Sequence, residues 1–225
     1  MKNIGEAFSF PFRDPNWMSK FIIGALFGLL SFLVIGIPVL YGYYIELCQR
    51  VRRREQYPMP EWNDIGVKFV LGFKYCIALL VYCLPVFLVL IPALFIVMVA
   101  AVSGSPAGGM LGSAVFLALI FFFIVPYSLL ITLLTPVITL EFTERGSIAD
   151  ALRLGRVFRL ARSQWQNTLV AALIGLGVGV LSGVGLILLI VGIFLTDFYA
   201  KLITFHLYGQ IGQLVDESRR ARTAP

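Results

Sequence analysis

The chain has 225 residues, of which 59% are hydrophobic and only 13% charged, with a net charge of +6. An average soluble domain is about 45–50% apolar and about 25% charged, so an ordinary water-soluble globule is excluded. With no soluble domain to present a basic surface, the surplus positive charge points to anionic lipid headgroups and not to nucleic acid.

Residues 1–20 read as an interfacial N-terminal segment. Phe8, Phe10, Phe12 and Trp17 lie among Lys2, Arg13 and Lys20, the composition of an aromatic belt at a membrane surface. Asp14–Pro15 has the order of a helix N-cap followed by proline at the first helical position. About twenty polar and aromatic residues precede the first apolar run and no small-residue cleavage site follows it, so a cleaved signal peptide is not expected.

Residues 21–54 read as a first helical hairpin. Its apolar run, Phe21–Tyr44, is interrupted by Gly36-Ile37-Pro38, where the chain can bend. Residues 58–74 are expected to form a short amphipathic interfacial helix opened by Pro58–Asp64. Trp62, Ile65, Gly66, Phe69 and Phe73 follow helical spacing there, with Glu61, Asp64 and Lys68 on the other side.

Residues 75–140 contain no Asp, Glu, Lys, Arg or His. A hydrocarbon core of about 30 Å takes about 20 apolar residues as helix, so this stretch holds two full spans joined by the turn Ser103–Gly109. Residues 147–165 read as a basic amphipathic helix, begun by a capping box of Ser147 and Asp150. At about 100° per residue, Leu154, Val157, Phe158, Ala161 and Trp165 share one face. Arg153, Arg156, Arg159 and Arg162 sweep the other, suited to lipid phosphates. Residues 168–215 read as a second hairpin broken at Ser182–Gly185, and 216–225 as a polar tail.

Basic residues argue for the hairpins. Lys and Arg number three in 1–20, six in 46–74, none in 103–109, five in 141–165 and four from 197 onward. All 18 fall on one side of the membrane only if both flanking apolar regions turn back, and the positive-inside rule favours that arrangement. The expected fold is therefore all-α: a single polytopic membrane domain of about six membrane-embedded helices, two full spans flanked by two hairpins, plus short interfacial helices. Both termini are expected to be cytoplasmic.

Little in the sequence suits catalysis. His206 is the only histidine, too few ligands for a metal and without a recognisable nucleophile partner. Cys48, Cys76 and Cys83 form no metal-binding or disulfide pattern. No catalytic residue, cofactor or metal site is expected. Lipid-headgroup contacts are assigned to Arg153, Arg156, Arg159 and Arg162, and to Arg52, Arg53 and Arg54. Asp197, Lys201, His206 and Gln210 make the last segment the most polar membrane helix and the candidate polar membrane site. Gly175, Gly179 and Gly183 form small-xxx-small steps for helix packing, within the chain or between copies.

Three segments taken together, Ala7–Trp17 (A-F-S-F-P-F-R-D-P-N-W), Tyr41–Tyr44 (Y-G-Y-Y) and Pro58–Asp64 (P-M-P-E-W-N-D), resemble the prokaryotic domain-of-unknown-function family 4013 of polytopic membrane proteins. The likeness is strongest over the first third of the chain. The stretch Glu141–Leu152 is similar to a wider group of bacterial membrane domains. The resemblance implies a prokaryotic plasma (inner) membrane protein and supplies no catalytic residues.

Two functions fit these features. One is a non-enzymatic membrane-organising or partner-recruiting module, its cytoplasmic basic helices on anionic lipid, with a homo-oligomer or protein partner. The other is a small oligomeric transporter or channel for a solute or lipid, using the broken helices and the Asp197–Gln213 segment.

Overall fold

The computed structural model describes residues 4–102, 105–184 and 189–223. Among them the regular structure is helical, with no strand. In chain order these are α1 (Ile4–Ser9), a 3₁₀ turn (Phe10–Arg13), α2 (Trp17–Leu30), a second 3₁₀ turn (Ser31–Leu33) and α3 (Gly36–Arg52). Then follow α4 (Ile65–Val102), α5 (Pro106–Leu119), a π-helical turn (Ile120–Ile124), α6 (Val125–Arg145), α7 (Ile148–Ala151), α8 (Leu154–Ser163), α9 (Trp165–Val184) and α10 (Leu189–Thr223). The all-α expectation holds. Two helical stretches, Ile65–Val102 and Ala107–Glu144, are long and apolar enough to cross a membrane. The N-terminal segment Ile4–Arg13 meets Trp17–Leu33 at 100°, and these two pass as a third only if taken as one broken span.

The chain divides into two compact units. The smaller, Leu79–Leu133, holds the later part of α4, α5, the π turn and the start of α6. Its surface is apolar: Leu88, Phe95, Met110 and Phe122 are all exposed. Two prolines lie inside α4, Pro85 and Pro92. Near the first, the Tyr127 hydroxyl donates to the Tyr82 carbonyl at 2.8 Å. The π turn sits just before Pro126, whose missing N–H cannot continue an α-helical ladder; a wider turn absorbs that loss.

The larger unit comprises Met1–Ala78 and Leu134–Pro225. In it α10 packs against α9, α3 and α2, and α2 packs against α3. Its buried centre includes Tyr43, Ile45, Leu47 and Cys48 of α3, Tyr75 of α4, Phe142 of α6, and Leu202, Ile203, Leu207 and Ile211 of α10. The helices meet through glycines. A Cβ on Gly72 would lie 1.8 Å from the Pro38 carbonyl oxygen, and one on Gly42 would lie 1.9 Å from that of Lys68. Only glycine permits this approach of α3 and α4.

The first hairpin forms, but its bend lies at Ser31–Ile35, just before Gly36-Ile37-Pro38. Val34 takes a left-handed conformation there (φ 65°). Gly36 and Pro38 instead open α3, where proline's missing N–H has no intrahelical partner to lose. A Cβ on Gly36 would lie 2.2 Å from the Phe27 carbonyl oxygen, so glycine lets the two arms close. The arms have 14 and 17 residues, about 21 and 25 Å at 1.5 Å per residue, short of a full crossing. Their tip is apolar and exposed: Leu29, Phe32, Leu33, Val34 and Ile35.

Several local expectations change. Asn16, not Asp14, stands at the N-cap position of α2, and it makes no side-chain cap bond. Asp14 is drawn away: its Oδ1 accepts the Asn16 backbone N–H at 2.8 Å, and its Oδ2 accepts from Lys20 Nζ at 2.8 Å. The short helix expected over 58–74 is not a separate element. Pro58–Asp64 is irregular, and α4 then runs unbroken from Ile65 into the first long apolar stretch. Within it Lys68, Gly72 and Tyr75 are buried, while Ile65 and Phe73 are exposed. Lysine can face inward because distant acceptors await it.

The basic helix over 147–165 is split into α7 and α8 by a break at Leu152–Arg153. Ser147 makes no side-chain cap bond, and the buried Asp150 carboxylate pairs with Arg153 and Arg156. Helix α10 continues through Thr223, so most of the polar tail is helical. Ser103, Gly104 and Gly185 lie outside the described residues; the expected turn and second hairpin bend fall partly on them.

Candidate functional site

Two networks of charged residues organise part of the larger unit. In the first, Lys20, 3% exposed, donates to Asp14 Oδ2 at 2.8 Å and to the Met59 carbonyl at 3.1 Å, and Glu61 Oε1 lies 2.6 Å away. Trp62 donates from Nε1 to the Lys20 carbonyl at 3.0 Å and stacks on Tyr43, ring centroids 4.3 Å apart. Lys68, equally buried, reaches Glu46 Oε2 at 2.8 Å and donates to the Asn63 carbonyl at 3.0 Å. Glu46 also holds Arg50 at 2.8 Å. A buried cation is stable only when paired and hydrogen-bonded, which explains why these loop and helix residues converge.

The second network ties the end of α3 to the end of α10. Arg52 makes a two-pronged contact with Asp216, Nε to Oδ2 and Nη2 to Oδ1, both 2.6 Å. Hydrogen bonds from Arg52 hold the Asp216 carboxyl below the usual aspartate range. Arg54 pairs with Glu217, and Arg219 reaches Glu144 at 2.9 Å. Arg53 is exposed. Of the three arginines expected at the headgroup interface, Arg52 and Arg54 are thus occupied by carboxylates of α10.

Beside these networks lies a cleft of about 470 Å³ lined by Glu6, Phe10, Arg13, Glu55, His206 and Gln210, among others. His206 is buried, stacks on Phe10 at 4.3 Å and meets the Gln210 amide at 3.4 Å through Nδ1. The four polar residues expected to form one site in the last helix therefore separate. His206 and Gln210 are brought together in the cleft. Asp197 is exposed and Lys201 half-buried, and neither lines the cleft. Among the described residues these two form no ion pair despite their i,i+4 spacing.

Helix α8 presents three sectors. Val157 is fully buried against the protein, while Leu154 and Phe158 are exposed, as is Trp165 at the start of α9. Arg159 and Arg162 are exposed beside that apolar edge. Arg153 and Arg156 point back instead, 3.4 and 3.5 Å from Asp150 Oδ1. Along α9 the apolar exposure continues through Leu169, Leu173, Leu176 and Val180.

The packing glycines of α9 also divide. Gly175 faces Thr204 of α10 at ordinary contact distance, whereas a Cβ on Gly179 would meet nothing within 4 Å. The side-chain surroundings of Gly183 lie outside the described residues. Closer helix approaches use Gly42, Gly72 and Gly36, and also Gly209 against Val51. Their spacing gave no small-xxx-small signal. No group of three or more His, Cys, Asp or Glu suited to a metal occurs among the described residues.

Comparison with known proteins gives one match. A family model described as "Protein of unknown function (DUF4013)" matches residues 25–191. That range takes in Tyr41–Tyr44, Pro58–Asp64 and Glu141–Leu152, and begins downstream of Ala7–Trp17. No curated protein and no solved structure matches the chain.

Proposed function

Because the chain belongs to the DUF4013 family of proteins of unknown function, we propose, from its own geometry, a non-enzymatic multi-pass membrane module that gathers anionic lipid and so organises its surroundings or recruits a partner. The observation that carries this is the outward side of α8, where exposed Leu154 and Phe158 adjoin exposed Arg159 and Arg162. Such a helix lies in the interface, with its apolar edge in the acyl boundary and its arginines on phosphates. The prokaryotic plasma membrane is its setting. α4 and the α5–α6 helix cross it, the α2–α3 hairpin dips in from the cytoplasmic side, and both termini stay on that side. The distribution of all 18 basic residues supports this orientation.

The test is lipid retention. Protein reconstituted in nanodiscs with mixed anionic and zwitterionic lipid is extracted gently, and the lipids that remain bound are counted by native mass spectrometry. Arg159→Glu with Arg162→Glu is expected to cut retained anionic lipid about tenfold or more, since each arginine supplies roughly 1 kcal/mol of headgroup attraction. The same exchange at Arg153 and Arg156 acts through loss of Asp150 pairing, and so on stability. Equal retention by wild type and the R159E/R162E variant sinks the proposal.

A further inference from the structure

We propose that the cleft at the charged end of the larger unit binds a small zwitterion carrying a primary ammonium and a phosphate, of the phosphoethanolamine type. Three elements build it: the N-terminal segment with Glu6, Phe10 and Arg13, the loop after α3 with Glu55, and α10 with His206 and Gln210.

The cleft's lining includes one tight pair, Arg54–Glu217, and beside it charged groups that are held more loosely. Arg52–Asp216 and Lys20–Asp14 close at 2.6 and 2.8 Å. At the cleft, Arg13 and Glu6 stand 3.9 Å apart, and Glu55 stands 3.7 Å from Arg50, which does not line the cleft. Neither distance is a hydrogen bond. Arg13 therefore keeps its planar donors for an incoming anion, and Glu6 and Glu55 keep acceptor oxygens for an incoming ammonium.

Both signs of charge stand ready on one rim, which suits a ligand that carries both. A simple anion would face Glu6 and Glu55, and a simple cation would face Arg13. The floor supplies neutral polar contacts from His206 and Gln210 and an apolar ring from Phe10, the usual balance of a small-molecule site.

The phosphate rests on the membrane reading above. The exposed apolar tip Phe32–Ile35 and the cleft residue Val51 lie at opposite ends of α3, about 25 Å apart at 1.5 Å per residue. With the tip in hydrocarbon, the cleft stands at the level of phospholipid headgroups. The same chemistry could arrive as a lipid headgroup or as a free molecule.

The experiment uses purified full-length protein in a sugar detergent, which offers neither amine nor phosphate. Phosphoethanolamine, inorganic phosphate and ethylamine are titrated by calorimetry. Saturable binding of phosphoethanolamine is expected, about tenfold or more tighter than either single-charge probe, equivalent to about 1.4 kcal/mol. Arg13→Gln and Glu55→Gln should each weaken it about tenfold on the same scale. Both side chains are solvated and tightly bound to nothing, so the fold should persist, as an unchanged elution volume and helical signal will show.

No saturable binding by wild type overturns the proposal, as does equal binding of inorganic phosphate, or unchanged affinity in the R13Q/E55Q protein. Nanodiscs separate the sources. Weaker apparent affinity in phosphatidylethanolamine than in phosphatidylcholine discs assigns the headgroup, whereas equal affinity overturns the lipid source in favour of a free zwitterion. Lipid retention through Arg159 and Arg162 is read separately, so failure of one proposal is not failure of the other.

Discussion

Lys20 and Glu61 meet at 2.6 Å across 41 residues of sequence, closing a pocket in which Lys20 also holds Asp14. The N-terminal segment is thereby tied to the loop that leads into α4. Exchanging Lys20 for Met should cost about 3–5 kcal/mol, because Asp14, 5% exposed, would keep a buried charge without its cation. Glu61→Gln should cost about 1 kcal/mol or less, since Glu61 is half exposed. Thermal unfolding in detergent measures both, and equal losses would contradict the burial argument.

Glycine positions offer a paired test of the helix contacts. Gly72→Ala drives a Cβ against the Pro38 carbonyl and should destabilise by about 1–3 kcal/mol or more, through overpacking against rigid backbone. Gly179→Ala enters open space and should leave the melting temperature unchanged or slightly raised, since alanine favours helix over glycine. A G179A protein that loses oligomeric state while keeping its stability would reveal a contact between copies.

Acid should loosen the junction of α3 and α10. The Arg52 hydrogen bonds lower the Asp216 carboxyl in the folded protein, so its contribution is present above the unfolded aspartate value near 3.8. That contribution is lost as pH falls from there through the lowered folded value. Amide exchange in Asp216–Thr223, extrapolated to a common intrinsic rate, should therefore rise in wild type below pH about 4. In Asp216→Asn the segment should be less protected at neutral pH and lack that added acid response.

Helix α8 separates stability from membrane contact. Val157→Ala removes buried methyl groups and should cost about 1–2 kcal/mol. Phe158→Ala, one residue on and exposed, should leave unfolding nearly unchanged while reducing quenching of Trp165 by brominated lipid, measured with Trp17 and Trp62 replaced by Phe. The reverse pattern would place Phe158, and not Val157, against the protein.

Orientation can be read with single cysteines in a background lacking Cys48, Cys76 and Cys83. Val34→Cys, at the hairpin tip, should resist a membrane-impermeant maleimide from both sides. Ser105→Cys should react from outside the cell, and Arg222→Cys only after the cytoplasmic face is opened. A reactive outside terminus would be incompatible with the topology proposed here.

What the sequence determined by itself was helix content and its broad placement. A run without charge from Tyr75 to Leu140 allows little but helix in hydrocarbon, because each backbone polar group must be satisfied within its own segment. That inference is local, and it survived. The short arms of the first hairpin were also legible from length alone. The candidate site was legible only in pieces: His206 and Gln210 were visible as polar residues of one helix, but not their cleft with Glu6, Arg13 and Glu55.

Tertiary structure decided which charges turn inward. Periodicity placed Lys68 on a polar face, yet it is buried because Glu46 and the Asn63 carbonyl receive it. Of four evenly spaced arginines, Arg153 and Arg156 pair with Asp150 at the break Leu152–Arg153 while their side chains stay largely accessible, and Arg159 and Arg162 are exposed. A lysine or arginine can be buried when an acceptor from another part of the chain reaches it, and no local pattern encodes where that acceptor will be.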